Sequence, residues 1–350
     1  MKLSIGILAH NELGSIEVLL RSLCQQSLLA DPHGEHQVEI VVVPNGCSDR
    51  TATASRQTLE QLSREQNQTS WTWKVCEVVE PGKSNAWNLF IHQFAAADAD
   101  FFYLMDADIQ LHDPLALAKM LEVLIANPEY WIALDRPIKD VELKENKNWL
   151  EKLSVAVSKS SNKGQLYICG QLYCGRAEPL RSMHLPPGLP VEDGFLTQMV
   201  ISENFTLANP TFEKRIVRVE TASHIFEAYT NPLELINHEV RVVVGIVVNG
   251  LLTNYLQQHC HDGQTAGMLI ERWNREDKYW LDKLKTDAIA KDKWSIPLSL
   301  VLRRYRSLKN HAWHKALMRV PIATLAFLVD LSVFIRANST LHHQAITNYW

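Results

Sequence analysis

The residues best placed to do chemistry are acids and a lysine at the ends of apolar runs. Asp106-Ala107-Asp108 follows the run Phe101 to Met105. Carboxylates two apart on an extended strand end project the same way. Hard oxygens so placed suit magnesium or manganese, which keep positions open for phosphate oxygens. Such a cation neutralises charge building on a diphosphate leaving group. The alternative is plainer: Asp106 ends the strand and Asp108 caps a turn before Pro114. Lys83-Ser84 follows Gly82 at a predicted helix start, where backbone N–H groups and a cation favour phosphate; an ordinary solvated helix entrance has the same composition. His224 follows a predicted strand from Ile216 to Glu220. It is a candidate third metal ligand, with a hydrogen-bonded structural histidine as the alternative.

These residues need a scaffold, and the first hundred positions supply one. Leu3 to Leu8, Val38 to Val43, Trp71 to Val79 and Phe101 to Met105 read as buried strands. Amphipathic stretches from Ser15 to Gln26, from Ser48 or Asp49 to Glu65, and from Gly82 to Phe94 alternate with them. That alternation predicts an α/β fold, a mostly parallel sheet flanked by helices. Ligands of such sheets sit at the carboxyl ends of the strands. The polar groups fall there: His10-Asn11-Glu12, Asn45 to Asp49, Glu80 to Ser84, and Asp106 to Asp108. No Gly-x-Gly-x-x-Gly follows the first strand and no complete P-loop occurs, which argues against a dinucleotide dehydrogenase and a P-loop enzyme.

In order along the chain stand Ala9-His10-Asn11-Glu12, Pro44-Asn45-Gly46-Cys47-Ser48-Asp49-Arg50-Thr51, Gly82-Lys83-Ser84-Asn85-Ala86-Trp87-Asn88, Asp106-Ala107-Asp108 and Glu192-Asp193. This series resembles family-2 glycosyltransferases of the GT-A fold, over roughly residues 1–250. The resemblance implies a nucleotide-sugar donor along the first four strand tips. Ala9, Asn11 and Glu12 would touch the nucleoside, and Asn45 to Asp49 the base and ribose. Lys83 would meet the base or diphosphate, and Asp106 and Asp108 the ribose and a manganese or magnesium ion. Pro44 stands where the family usually carries an aspartate that reads the base, so Asn45 or Asp49 would have to substitute.

In that family the Glu-Asp pair supplies the general base, which takes the acceptor hydroxyl's proton. Asp193 is expected to be the base, with Glu192 orienting it; acids complementing a helix dipole are the alternative. One base without a nucleophile suits single displacement with inversion. His238-Glu239-Val240-Arg241-Val242 lies where many members carry Gln-x-x-Arg-Trp. Arg241 survives and is a donor-site candidate; loss of Gln and Trp argues for a non-processive enzyme. Tyr167, Tyr173 and Arg176, around Gly170 to Gly175, could line a sugar site or be core residues.

The domain reading is a catalytic unit over 1–230, with donor half 1–110 and acceptor half 111–230, followed by a helical region over 231–350. In that region Leu233 to Leu256 and Trp273 to Lys285 read as helices. Arg303, Arg304, Arg306, Lys309, Lys315 and Arg319 then precede an apolar run from Val320 to Ile335, broken by Pro321 and Asp330. Sixteen residues with a central acid fall short of a membrane span. The run is either a buried helix or one lying in the membrane interface, its basic cluster against anionic lipid; the latter would suit a lipid-linked acceptor.

The chain has 350 residues and a net charge of −4, without the basic excess of a nucleic-acid binder. Six scattered cysteines read as reduced thiols, and Met1 to Ile5 runs directly into a strand pattern. Both predict a cytoplasmic protein without a targeting segment, its possible address the inner face of the membrane if the interfacial reading holds. The triplets at Asn67, Asn204 and Asn338 are then chance matches. Two other function classes compete. A sugar nucleotidyltransferase shares the nucleotide-binding half but wants a Gly-rich, Arg-containing first loop, here Ala-His-Asn-Glu-Leu-Gly. A non-catalytic nucleotide-sugar-binding module would not need Asp106, Asp108 and Asp193.

Overall fold

The computed structural model describes residues 1–30, 35–65, 71–144, 166–207, 210–211, 214–229, 231–261, 263–290, 292–308 and 313–343. Asn67 and Lys309 lie outside the described residues, as does the side chain of Lys315. The strands are β1 (Lys2–Ala9), β2 (Gln37–Pro44), β3 (Trp71–Val75), β4 (Phe101–Asp106), β5 (Ile109–Gln110), β6 (Ile132–Lys139), β7 (Leu172–Arg176) and β8 (Ile216–Phe226). They form a sheet in the order β3-β2-β1-β4-β7-β6-β8-β5. The pairs β1–β2, β2–β3, β1–β4 and β6–β8 are parallel, whereas β7 runs antiparallel to β4 and β6. The expected α/β sheet with flanking helices is therefore present. β1 and the second half of β2 are buried on both faces, which is why they read as unbroken apolar runs.

Helices α1 (Ile16–Leu23), α2 (Thr51–Glu65), α3 (Lys83–Leu89) and α4 (Ala116–Ala126) serve the first strands. Then come α5 (Asp140–Leu143), α6 (Ala177–Arg181) and α7 (Glu192–Ile201). The helical stretch after Gly82 does reach Phe94, but its last turn, Phe90–Phe94, is a π-helix closed by Ala95 N–H donating to the Phe90 carbonyl at 2.8 Å. Phe90 lies under β1: a Cβ on Gly6 would sit 2.8 Å from its ring. The third strand ends at Val75 rather than Val79; Val78 makes only an isolated bridge to Asn45, and Val79 is exposed.

The C-terminal region is α8 (Pro232–His259), α9 (Ala266–Glu276), α10 (Trp280–Ile289), α11 (Leu298–Val301), α12 (Arg303–Leu308) and α13 (Trp313–His343). The single helix expected over Trp273 to Lys285 is two. Asp277 breaks it, its Oδ1 accepting from Tyr279 N–H at 3.0 Å and its carbonyl from Trp280 N–H at 3.1 Å. Val244 and Leu252 of α8 and Phe334 and Leu341 of α13 share one apolar cluster with Val43 and Phe102 of the sheet. All six cysteines are free.

Candidate active site

The donor-side loops are tied to one another before any ligand arrives. Asn11 follows β1 with φ 57°, a left-handed conformation asparagine tolerates better than most residues. That turn aims its Oδ1 at the loop after β2, where it accepts from Ser48 N–H at 2.8 Å and Ser48 Oγ at 3.1 Å. Asp49 returns the tie, its Oδ2 accepting from Leu13 N–H at 3.2 Å and its Oδ1 from Thr51 N–H at 2.9 Å. Burial works against the Asp49 charge, but these donors hold its carboxyl below the usual range. Glu12 donates its N–H to Thr51 Oγ1 at 2.8 Å. Burial, with Asp108 and Asp49 nearby, raises the Glu12 carboxyl above its ordinary value, against the hydrogen bond from Ser15.

Asn45 is fully buried. Its Nδ2 donates to the Glu80 carbonyl at 2.7 Å, and its backbone N–H donates to the Ala9 carbonyl at 2.9 Å. It joins three of the polar tips from beneath, with its side-chain Oδ1 unpartnered among the described residues. Ala9 is likewise buried and pairs with Pro44 in register.

The centre of the site is an ionic cluster. Lys83, the first residue of α3, places Nζ 2.7 Å from Asp106 Oδ1 and 2.8 Å from Oδ2. The same ammonium lies 3.1 Å from Glu192 Oε1. Burial disfavours a charged lysine, yet Asp106 and Glu192 hold the Lys83 pKa well above normal. Burial pushes Asp106 up to about 7; Lys83 draws it down and Asp108 adds to the rise. Asp193 accepts from Gly170 N–H at 3.2 Å and from Gly194 N–H at 2.7 Å. Burial and then Glu192 push it up to about 6, against Lys83 and those two donors. One ammonium among three carboxylates leaves the cluster net negative, and raised carboxyls are the response. A small cavity lined by Lys83, Trp87, Gly170, Tyr173, Glu192 and Asp193 opens beside it.

Gly170 explains how the groups come so close. A Cβ there would lie 2.9 Å from Lys83 Nζ and 3.0 Å from Glu192 Oε1. The acid pair is set by a second close approach: a Cβ on Gly245 of α8 would fall 2.3 Å from Val191 Cγ2. Asn249, one turn on, donates to the Val191 carbonyl at 3.0 Å. Arg241 stands one turn before Gly245, on the helix face that meets this loop, and burial followed by Arg241 lowers the pKa of His238.

The chain leaves β4 at Asp106 and turns through Ala107 and Asp108, so the strand argument for parallel side chains does not extend to Asp108. Asp106 is mostly buried against Lys83, whereas Asp108 is exposed. His224, fully buried in β8, has Nδ1 2.7 Å from Asp135 Oδ2 and Nε2 3.3 Å from Gln171 Oε1. Both ring nitrogens are engaged as for a structural histidine, and a cation would reach Nε2 only by displacing Gln171. No three His, Cys, Asp or Glu side chains gather as a metal cage among the described residues. The donor set fits a hard cation only in the manner of magnesium, which takes one or two carboxylates and completes its shell with water and substrate phosphate. Asp108, with Asp106, is suited to that.

Asp135 is not singled out from the sequence, and Gly170 and Gln171 read only as part of the stretch Gly170 to Gly175, with no role of their own. Asp135 carried a signal: an acid directly after the apolar run Ile132-Ala133-Leu134. The β6–β8 register shifts between Leu134 and Arg136, where a strand irregularity can re-aim a side chain. Gln171 also accepts from Asp106 N–H through its carbonyl, at 3.0 Å. Of the sugar-site alternatives, Tyr173 is buried, receiving the Trp87 indole N–H at 2.7 Å. Arg176 donates to the carbonyls of Tyr130, Leu124 and Asn127 and is structural.

The profile of glycosyl transferase family 2 matches residues 4–180, half of the chain, from β1 through the ionic cluster's Asp106 to α6. The chain belongs to glycosyl transferase family 2. It is a glycosyltransferase, and its sheet and helices form the GT-A arrangement that the resemblance implied. No curated protein matches this transferase. Among solved structures it is similar to the glucosyl-3-phosphoglycerate synthase of Mycobacterium tuberculosis, with 18% identity and a TM-score of 0.47 over 77% of this chain and 92% of that one. A second structure of that synthase, in complex with Mn2+, uridine-diphosphate and phosphoglyceric acid, has 19% identity and a TM-score of 0.45 over 70% of this chain and 76% of that one.

Proposed function

We propose that this family-2 transferase moves a sugar from a nucleotide-diphosphate donor to an acceptor hydroxyl by single displacement, inverting the anomeric carbon and adding one sugar per encounter. The observation that carries this reading is the Lys83 ammonium shared between Asp106 at the end of β4 and Glu192 at the start of α7. It brings the phosphate-facing tip and the acid pair to one point.

The loops at Asn11, Glu12 and Asp49 hold the nucleoside, with Asn45 and Ala9 shaping them from beneath. Lys83 exchanges a carboxylate for a diphosphate oxygen as the donor enters. Asp108 and Asp106 hold a magnesium or manganese ion, which when bound supplies positive charge for the leaving diphosphate. Asp193 takes the proton from the attacking hydroxyl. Its two backbone N–H donors fix the carboxylate, and burial followed by Glu192 raises its basicity. Arg241 faces the diphosphate or acceptor from α8. The unit extends over 1–230 with the helices of 231–350 closing one side. An address in the cytoplasm fits a nucleotide-sugar donor.

A thermal-shift panel of UDP, GDP, TDP and CDP with manganese, magnesium or chelator tests the donor site. A metal-dependent rise with one nucleotide, lost in Asp108→Ala, is expected; no rise with any nucleotide overturns the donor assignment. Anomeric NMR of the product tests the mechanism, and retention of configuration would sink the single-displacement step.

A further inference from the structure

The outer face of α13 presents what a soluble surface avoids. Leu317, Met318, Ile322 and Leu325 are 66–71% exposed, and Leu328 and Val329 continue the face at 57% and 55%. The inner face packs normally: Phe334, Ala337 and Leu341 belong to the main apolar cluster. A contiguous apolar face of this kind marks an interaction surface.

The basic segment beside it is partly spent. Arg303 holds Asp330 at 3.0 Å through both Nε and Nη2, and Arg304 at 2.8 and 3.0 Å. Burial raises the Asp330 carboxyl, but the two guanidiniums outweigh it and hold the pKa below the usual range. The acid that interrupts the apolar run therefore faces inward, neutralised. Residues 293–343 contain eight Lys or Arg and only this one acid, in a chain of net charge −4.

We infer that the Leu317–Val329 face of α13 lies in the plane of an anionic lipid surface, apolar side chains in the acyl boundary and the exposed Arg306 and Arg336 at the headgroups. Charge decides the occupant. A two-fold pairing of two copies through this face would set like charges against one another, whereas an anionic bilayer attracts them. Length decides the orientation. Although residues 317–343 are long and apolar enough to cross a membrane, the exposed apolar stretch covers about 18 Å of helix against a core of about 30 Å. Beyond it the outer face is mostly polar, with Ile335, 55% exposed, set among Ser332, Arg336 and Ser339. The inference stands apart from the catalytic reading.

The test is flotation of the full chain with phosphatidylcholine vesicles, with and without phosphatidylglycerol. Wild type is expected to float with the anionic vesicles. Leu317→Ser/Ile322→Ser/Leu325→Ser, which alters only exposed positions, should bind about a hundredfold more weakly or worse. Arg306→Glu/Arg336→Glu should lose the preference for anionic vesicles. An unchanged melting curve shows that each variant is folded. Wild type left unbound, either variant binding like wild type, or a solution dimer that the serine variant dissociates would each overturn the inference.

Discussion

Lys83 Nζ lies 3.1 Å from Glu192 Oε1, although one residue opens the helix after β3 and the other opens the helix of the acid pair, 109 positions later. The contact joins the donor side of the sheet to the acceptor side. Removing the cation leaves Asp106, Glu192 and Asp193 facing one another. Lys83→Met should therefore lower kcat/KM by about a hundredfold or more, the scale of a lost charge-stabilising group. Donor titration by calorimetry should weaken in parallel. Unchanged donor affinity would separate Lys83 from the diphosphate.

Asp193→Asn keeps the shape of the side chain but cannot take a proton. Turnover should fall by about 10²–10⁴, the usual contribution of a positioned base, while the nucleotide thermal shift persists. A kcat within threefold of wild type, in about the error of such a comparison, would remove Asp193 from the chemistry.

The acid side of the pH profile follows from burial and Glu192, which push Asp193 up to about 6. A base must be ionised, so kcat/KM should fall about tenfold per pH unit below that point. Stability runs the other way: the folded pKa lies above the unfolded one. This group's contribution is full below the unfolded value of about 4 and is lost as pH rises through about 6. Initial rates and melting curves across pH 4–8 check both signs.

Gly170→Ala puts a Cβ 2.9 Å from Lys83 Nζ and 3.0 Å from Glu192 Oε1. Both are ends of flexible side chains, so the fold should survive with a melting shift of a few degrees. The ionic cluster must open, and activity should fall far more than stability. Gly245→Ala differs, because Val191 Cβ is 2.6 Å from the added atom and the acid-pair loop itself must move.

Asp330→Asn removes the charge that two arginines share. The cost should be about 1–3 kcal/mol, the range for hydrogen bonds to charged groups, seen in urea titration at pH 7. Because the folded Asp330 pKa is depressed, its contribution is present above the unfolded value and fades as pH falls through the folded one. The variant should lose that acid dependence.

The sequence alone was enough for the βαβ alternation, the four polar tips and the acid pair at a helix start, since period and strand ends are local properties. It was also enough for the family, because the ordered motifs lie along one stretch of chain. The tertiary structure decided who neutralises whom. Asp106 and Asp108 look equivalent in sequence, yet one is buried against Lys83 and the other is exposed because the chain turns between them. His224 gained Asp135 from β6 and Gln171 from the turn before β7, both far away in sequence. Arg303 and Arg304, read with their neighbours as one basic cluster, are held by Asp330 on a helix that folds back over them. Each outcome depends on a long-range contact, and charge pairing and burial are properties of such contacts rather than of spacing along the chain.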